Sequence, residues 1–161
     1  MWQGPHTFIF AWVLNCMLMM VMLFITESFE PKLDSSYFTL KNWELQGRVY
    51  EYMGVGYFRK LLVLVGWEKL NKPKNPVNKN LESLKSLEYK TRQSEFGHFV
   101  IGIVVLMVYI DVAVRYGFMD SIWLLVLNIL LNIYPILVQR YNRPRLRRLI
   151  QQKAYAPEAG Y

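Results

Sequence analysis

The sequence predicts an all-α integral membrane protein with about three transmembrane helices plus interfacial or re-entrant amphipathic helices. Three observations predict it. Apolar residues make up 53% of the 161-residue chain, with mean hydropathy +0.13. They are gathered into long runs instead of being spread at the spacing of a soluble core. The Lys and Arg residues behind the net charge of +7 fall almost entirely between and after those runs. The charged share of 19% is also low, since soluble domains average about 25%. The 16% aromatic content excludes disorder. One cysteine excludes a disulfide scaffold, and two histidines do not furnish a histidine-rich metal centre.

The first predicted span, residues 7–25, reads TFIFAWVLNCMLMMVMLFI, nineteen residues without a charge. That matches the roughly 20 residues needed to cross a hydrocarbon core of about 30 Å. A cleavable signal peptide needs a positive leader and a small-residue cleavage site. Here the first cation is Lys32, and Glu27 and Glu30 follow the apolar run. The run therefore reads as a permanent span. The second and third spans, 98–119 and 121–138, are separated only around Asp120, which predicts a tight helical hairpin. Leu61–Trp67 is too short to cross. Its basic flanks and the preceding Tyr50, Tyr52, Tyr57 and Phe58 suit a helix lying in the interface or dipping partly inward. NKPKNPVNKN at 71–80 reads as a loop. Leu81, Leu84 and Leu87 form an apolar stripe on an amphipathic helix leading into the second span. The closing AYAPEAGY reads as an unpacked tail. The organisation is one membrane-embedded domain over 1–161, with a cytoplasmic or interfacial region at 27–97 and a basic cytoplasmic tail at 139–161.

Orientation follows from charge. Eighteen of the nineteen Lys and Arg residues lie in 27–97 or 139–161, and the hairpin turn and first six residues carry none. The positive-inside rule predicts a multi-pass protein of the cell membrane with its N-terminus outside and its C-terminus cytoplasmic.

Three constellations can carry chemistry. Glu95 and His98, three apart where the charged loop becomes the second span, share one helix face. A carboxylate beside an imidazole raises its basicity and fixes its tautomer, as a general base requires. The competing reading is a polar pair that anchors the helix end. E-x-x-H is also half of a di-iron motif, but a second such motif is missing, so a metal site would need a homodimer. The second constellation is QRYNRPRLRR, Gln139–Arg148, with five arginines in ten residues. Arginine forks bind phosphate and carboxylate bidentately, which lysine does not. The pattern of Gln139, Arg140, Tyr141, Asn142, Arg143 and Arg145 predicts an anionic ligand, with Pro144 ending the helix. Topological charge alone is the competing explanation, and it suits Arg147 and Arg148. Nucleic acid is not expected, because these arginines follow directly on a membrane span.

The third constellation is polar groups within the spans. Asp111 and Arg115 are four apart and read as an intrahelical pair, about 20 Å along the helix from His98. Asn128 and Asn132 share a face and read as interhelical hydrogen-bonding groups, with Asn132 able to line a cavity. Asn15 and Cys16 read as packing residues. The chain holds no P-loop, G-x-G-x-x-G, G-x-S-x-G or His-plus-Asp acyltransferase motif.

YKTRQSEFGHFVIGI at 89–103 and NIYPILVQRYNRPRL at 132–146 together resemble the glycosyl-diaponeurosporenoate acyltransferase family of bacterial carotenoid synthesis. VQRYNRPRL is the specific string. The aromatic and basic segment 37–70 is similar in order and length. The chain departs from the family at Pro135, displaced by one position, and in the loop 71–86. The resemblance implies a membrane enzyme that esterifies a sugar hydroxyl of a glycosylated carotenoid or related glycolipid with a fatty acyl chain. No bound cofactor is implied, and acyl-CoA or an acyl-carrier protein would be the donor. His98 would take the hydroxyl proton, Glu95 would orient it, and an Arg or Asn of 139–145 would hold the donor or the oxyanion, beside Asn132. Two rival classes stay open: a non-enzymatic membrane subunit or anionic-lipid-binding scaffold, and a metal-dependent lipid oxidase. Homo-oligomerisation is left open as well.

Overall fold

The computed structural model describes residues 7–39, 41–66 and 80–155. The predicted loop 71–79, Trp67, Pro5, His6 and the tail from Ala156 lie outside them. Among the described residues every regular element is helical. Three helices are long and apolar enough to cross a membrane, as expected: α1 (Phe8–Phe29), α4 (Leu81–Tyr116) and the continuous helix α5 (Ile122–Tyr155). Between α1 and α4 lie two 3-10 turns, Ser36–Phe38 and Asn42–Gly47, then the short helices α2 (Arg48–Tyr52) and α3 (Val55–Leu64). The chain forms two compact units. One comprises residues 1–32 and 93–136, the other 33–92 and 137–161.

In the first unit Thr7 caps α1, its hydroxyl accepting from the Phe10 N–H at 3.3 Å. Glu30, in the left-handed region at φ 38°, ends the helix. Ala11, Ile101, Val105, Val112, Leu124 and Leu127 form the core. Large apolar side chains such as Met20, Phe24, Met107 and Val114 point outward. That inversion suits a lipid solvent, where exposed hydrocarbon costs nothing and helices pack through small and polar groups. The expected hairpin is present. Gly117, at φ 99°, takes the C′ position after α4, and its N–H reaches the Ala113 carbonyl at 2.9 Å. Asp111 and Arg115 pair at 2.9 Å on the exposed end of α4.

α4 runs 36 residues, about 54 Å at 1.5 Å per residue. The amphipathic stretch 81–93 is therefore the beginning of the same helix as the second span. α5 departs from α-geometry at Ile129–Ile133, a π-turn in which the Tyr134 N–H reaches back five residues to the Ile129 carbonyl. Pro135 explains the irregularity. It has no N–H to give the Leu131 carbonyl, its ordinary i−4 partner.

In the second unit Tyr50, Val55 and Tyr141 pack together with Leu137 and Val138. Pro144 corrects an expectation, because it lies inside α5, which continues to Tyr155. One missing N–H does not end a helix whose face is packed. Gly47 shows that packing, since a Cβ there would lie 3.1 Å from the Tyr141 carbonyl and 3.4 Å from Pro144 Cγ. With φ at 94°, only glycine suits this position. Leu61, Val63 and Leu64 of α3 are exposed apolar residues, consistent in composition with an interfacial helix.

Candidate active site

His98 lies on α4 at the start of its apolar stretch and is partly buried. Its Nδ1 faces Asn132 Oδ1 of the π-turn at 3.4 Å. The backbone carbonyl of Leu131, which Pro135 leaves without its helical donor, is also within hydrogen-bonding reach of the ring. The π-turn thus sets two oxygen atoms before one imidazole. Such turns are rare and concentrate at functional positions.

Behind Asn132 the polar groups continue inward. Its Nδ2 donates to Asn15 Oδ1 of α1 at 2.8 Å and to Asn128 Oδ1 at 2.9 Å. Asn15 Nδ2 donates to the Ala11 carbonyl at 2.8 Å, and Asn128 Nδ2 donates to the Gly102 carbonyl of α4 at 3.0 Å. Asn15 and Asn132 are fully buried, and Asn128 is nearly so. Three helices are therefore tied to the imidazole by neutral amides. The reading of Asn128 and Asn132 as interhelical hydrogen-bonding groups holds. Asn15 is more than a packing residue, for it accepts from a residue 117 positions away. No sequence spacing signals such a contact. Glu95, also on α4, is fully buried.

The second unit assembles the arginine-rich stretch differently. Arg140 donates to Glu44 Oε1 at 2.8 Å and to the Tyr37 carbonyl at 2.9 Å, and its guanidinium lies 4.6 Å from the centre of the Tyr37 ring. Glu44 is fully buried. Arg143, 1% exposed, donates to the Phe38 carbonyl at 3.2 Å and to Thr91 Oγ1 at 3.4 Å. Tyr141 donates to Glu51 Oε1 at 2.7 Å. Arg145 lies over the Tyr141 ring and 3.5 Å from Glu51, with 57% of its side chain exposed. Arg147 donates to Glu88 Oε1 at 3.0 Å, and Arg92 pairs with the same carboxylate. Arg148 is exposed, while Gln139 and Asn142 are partly buried. Glu44, Glu51, Glu88 and the Tyr37 and Phe38 carbonyls were not legible as partners from the sequence, since each arrives from a distant segment.

The Tyr50 hydroxyl is buried beside Glu44 and Arg140 without meeting hydrogen-bond geometry to a described residue. Burial pushes it above the ordinary tyrosine value; Arg140 works against that rise and the Glu44 charge adds to it. Among the described residues no three of His, Cys, Asp and Glu gather closely enough to hold a metal ion.

Residues 34–152 match the family described as glycosyl-4,4′-diaponeurosporenoate acyltransferase. No curated protein and no solved structure matches the chain.

Proposed function

Because the chain belongs to the glycosyl-4,4′-diaponeurosporenoate acyltransferase family, we propose that it transfers a fatty acyl group to a sugar hydroxyl of a glycosylated carotenoid or related glycolipid, with His98 as general base. The observation that carries the role of His98 is its position. It is an imidazole at the edge of an apolar span, with Nδ1 3.4 Å from Asn132 Oδ1 of a π-turn. A histidine there is not needed to anchor a helix that already continues through 36 residues.

In this reading the imidazole takes the hydroxyl proton as the sugar oxygen bonds to the acyl carbon. The acyl–sulfur bond of an acyl-CoA or acyl-carrier-protein thioester breaks, and the imidazolium returns the proton to the departing sulfur. A positioned base contributes about 10²–10⁴-fold, so oxyanion stabilisation must supply much of the rest. Arg145 is the member of its cluster suited to an anionic donor group, since its guanidinium is largely exposed while Arg140 and Arg143 face internal partners. The bilayer delivers the greasy acceptor.

The charge distribution supports an N-terminus outside and a C-terminus in the cytoplasm. Cysteine labelling in intact cells, in a Cys16→Ser background, should reach Asp120→Cys and not Arg148→Cys; the reverse pattern would invert the topology. The reaction itself is tested by mass spectrometry of pigments and glycolipids from cells with the wild-type chain, with His98→Ala and without the gene. Acyl esters should appear only in the first, and esters persisting in the second would remove His98 from the chemistry.

A further inference from the structure

The hydrogen-bond network behind His98 has a direction that can be read from end to end. It terminates on two backbone carbonyls, Ala11 and Gly102, and a carbonyl only accepts. The Asn15 and Asn128 side chains must therefore turn their NH₂ groups toward those carbonyls, at 2.8 and 3.0 Å. That leaves both Oδ1 atoms facing Asn132, so Asn132 must donate both hydrogens of its own NH₂, at 2.8 and 2.9 Å. Its Oδ1 is the atom left for His98, and it is an acceptor. The Leu131 carbonyl, also within reach of the ring, is likewise an acceptor. Neither of these two oxygen atoms can donate. The nitrogen that faces Asn132 must itself carry hydrogen.

Building on the reading of His98 as base, we infer that Asn132 is a positioning residue. With its orientation fixed by Asn15 and Asn128, it holds neutral His98 as the Nδ1–H tautomer and leaves Nε2 as the nitrogen that takes the substrate proton. An amide does this without a second charge. A carboxylate would hold the same tautomer but would place an anion beside two buried asparagines, Asn15 and Asn128, in an apolar unit, at a desolvation cost the amide avoids. The 3.4 Å separation is long for a hydrogen bond. It leaves room for the contact to tighten when the ring becomes cationic, as catalytic contacts commonly do on substrate binding. The π-turn belongs to the same device, because it brings Asn132 and the Leu131 carbonyl to the ring together.

The test reads the tautomer directly. The protein is prepared with ¹⁵N-histidine in lipid nanodiscs at about pH 8, above the ordinary histidine range, and compared with His6→Gln to assign the two rings. His98 should show a protonated Nδ1 and an unprotonated Nε2. The opposite assignment in the wild-type chain would overturn the inference without any variant having to fold. The second arm is the double variant Asn15→Val/Asn128→Val, which touches neither the imidazole nor the substrate. Releasing the Asn132 amide should mix the two tautomers and lower turnover by about 10-fold at equal insertion. A tautomer ratio unchanged from wild type would refute the role of the network. His98→Ala judges the base reading separately. Activity in that variant would end the base assignment yet leave the measured tautomer standing.

Discussion

Around His98 the connected polar side chains are amides, Asn15, Asn128 and Asn132, each bonded to another or to a backbone carbonyl. Around residues 140–147 they are guanidinium groups set against Glu44, Glu51, Glu88 and the Tyr37 and Phe38 carbonyls. The solvent accounts for the difference. In a unit whose outward face is hydrocarbon, a neutral dipole is stable once its hydrogen bonds are made, whereas a charge still bears a desolvation cost. In a unit rich in exposed polar groups, arginine joins segments by offering several donors to carboxylates and carbonyls at once. Internal bridging therefore gives a reason for arginine over lysine at Arg140 and Arg143 that requires no ligand. Glu95 is the exception to the pattern, a buried carboxylate on the amide side.

The largest effect is expected at the imidazole. His98→Ala should lower ester formation at least about 100-fold per inserted molecule while leaving insertion intact, and Glu95→Gln, which keeps the shape, should cost less. Turnover near wild type in His98→Ala would reduce the amide network to a packing device.

Next comes the charged unit. Arg140→Met strands the fully buried Glu44 and should cost about 3–5 kcal/mol in thermal or denaturant unfolding. Adding Glu44→Met should recover most of it. A loss below about 1 kcal/mol in the single variant would mean the pair is screened like a surface salt bridge. Arg143→Lys keeps the charge but not the fork between Phe38 and Thr91, and should cost about 1.5–3 kcal/mol. Equal stability would show that charge alone suffices there.

Tyr50 supplies a smaller, pH-dependent effect. Its folded value lies above its unfolded one, because burial disfavours the phenolate. The resulting stability is complete below about pH 10 and is lost as pH rises toward the folded value. Tyr50→Phe should flatten that alkaline limb in melts recorded against pH, and an unchanged limb would place the titration elsewhere. Smallest of all, exposed Arg148→Lys should change stability by no more than about 0.5 kcal/mol and leave ester formation unaltered. A marked loss of activity there would make Arg148 a ligand contact.

The sequence by itself determined the helical class, the three apolar spans, the hairpin at Asp120 and the Asp111–Arg115 pair. Each depends on neighbours in the chain: run length, helical spacing, or a glycine at a helix end. It also marked His98 as a candidate base and Asn128 and Asn132 as hydrogen-bonding groups, while Asn15 passed for a packing residue. Tertiary structure decided what those groups meet. The acceptor before His98 comes from a residue 34 positions later, and the partner of Arg140 lies 96 positions earlier. The fate of the two prolines was decided the same way. Pro144 has its face packed under Gly47 and leaves its helix unbroken, while Pro135 lies at a π-turn that turns a released carbonyl toward an imidazole. The same missing N–H thus had two outcomes, because the space and partners around each ring are set by segments far away in the chain.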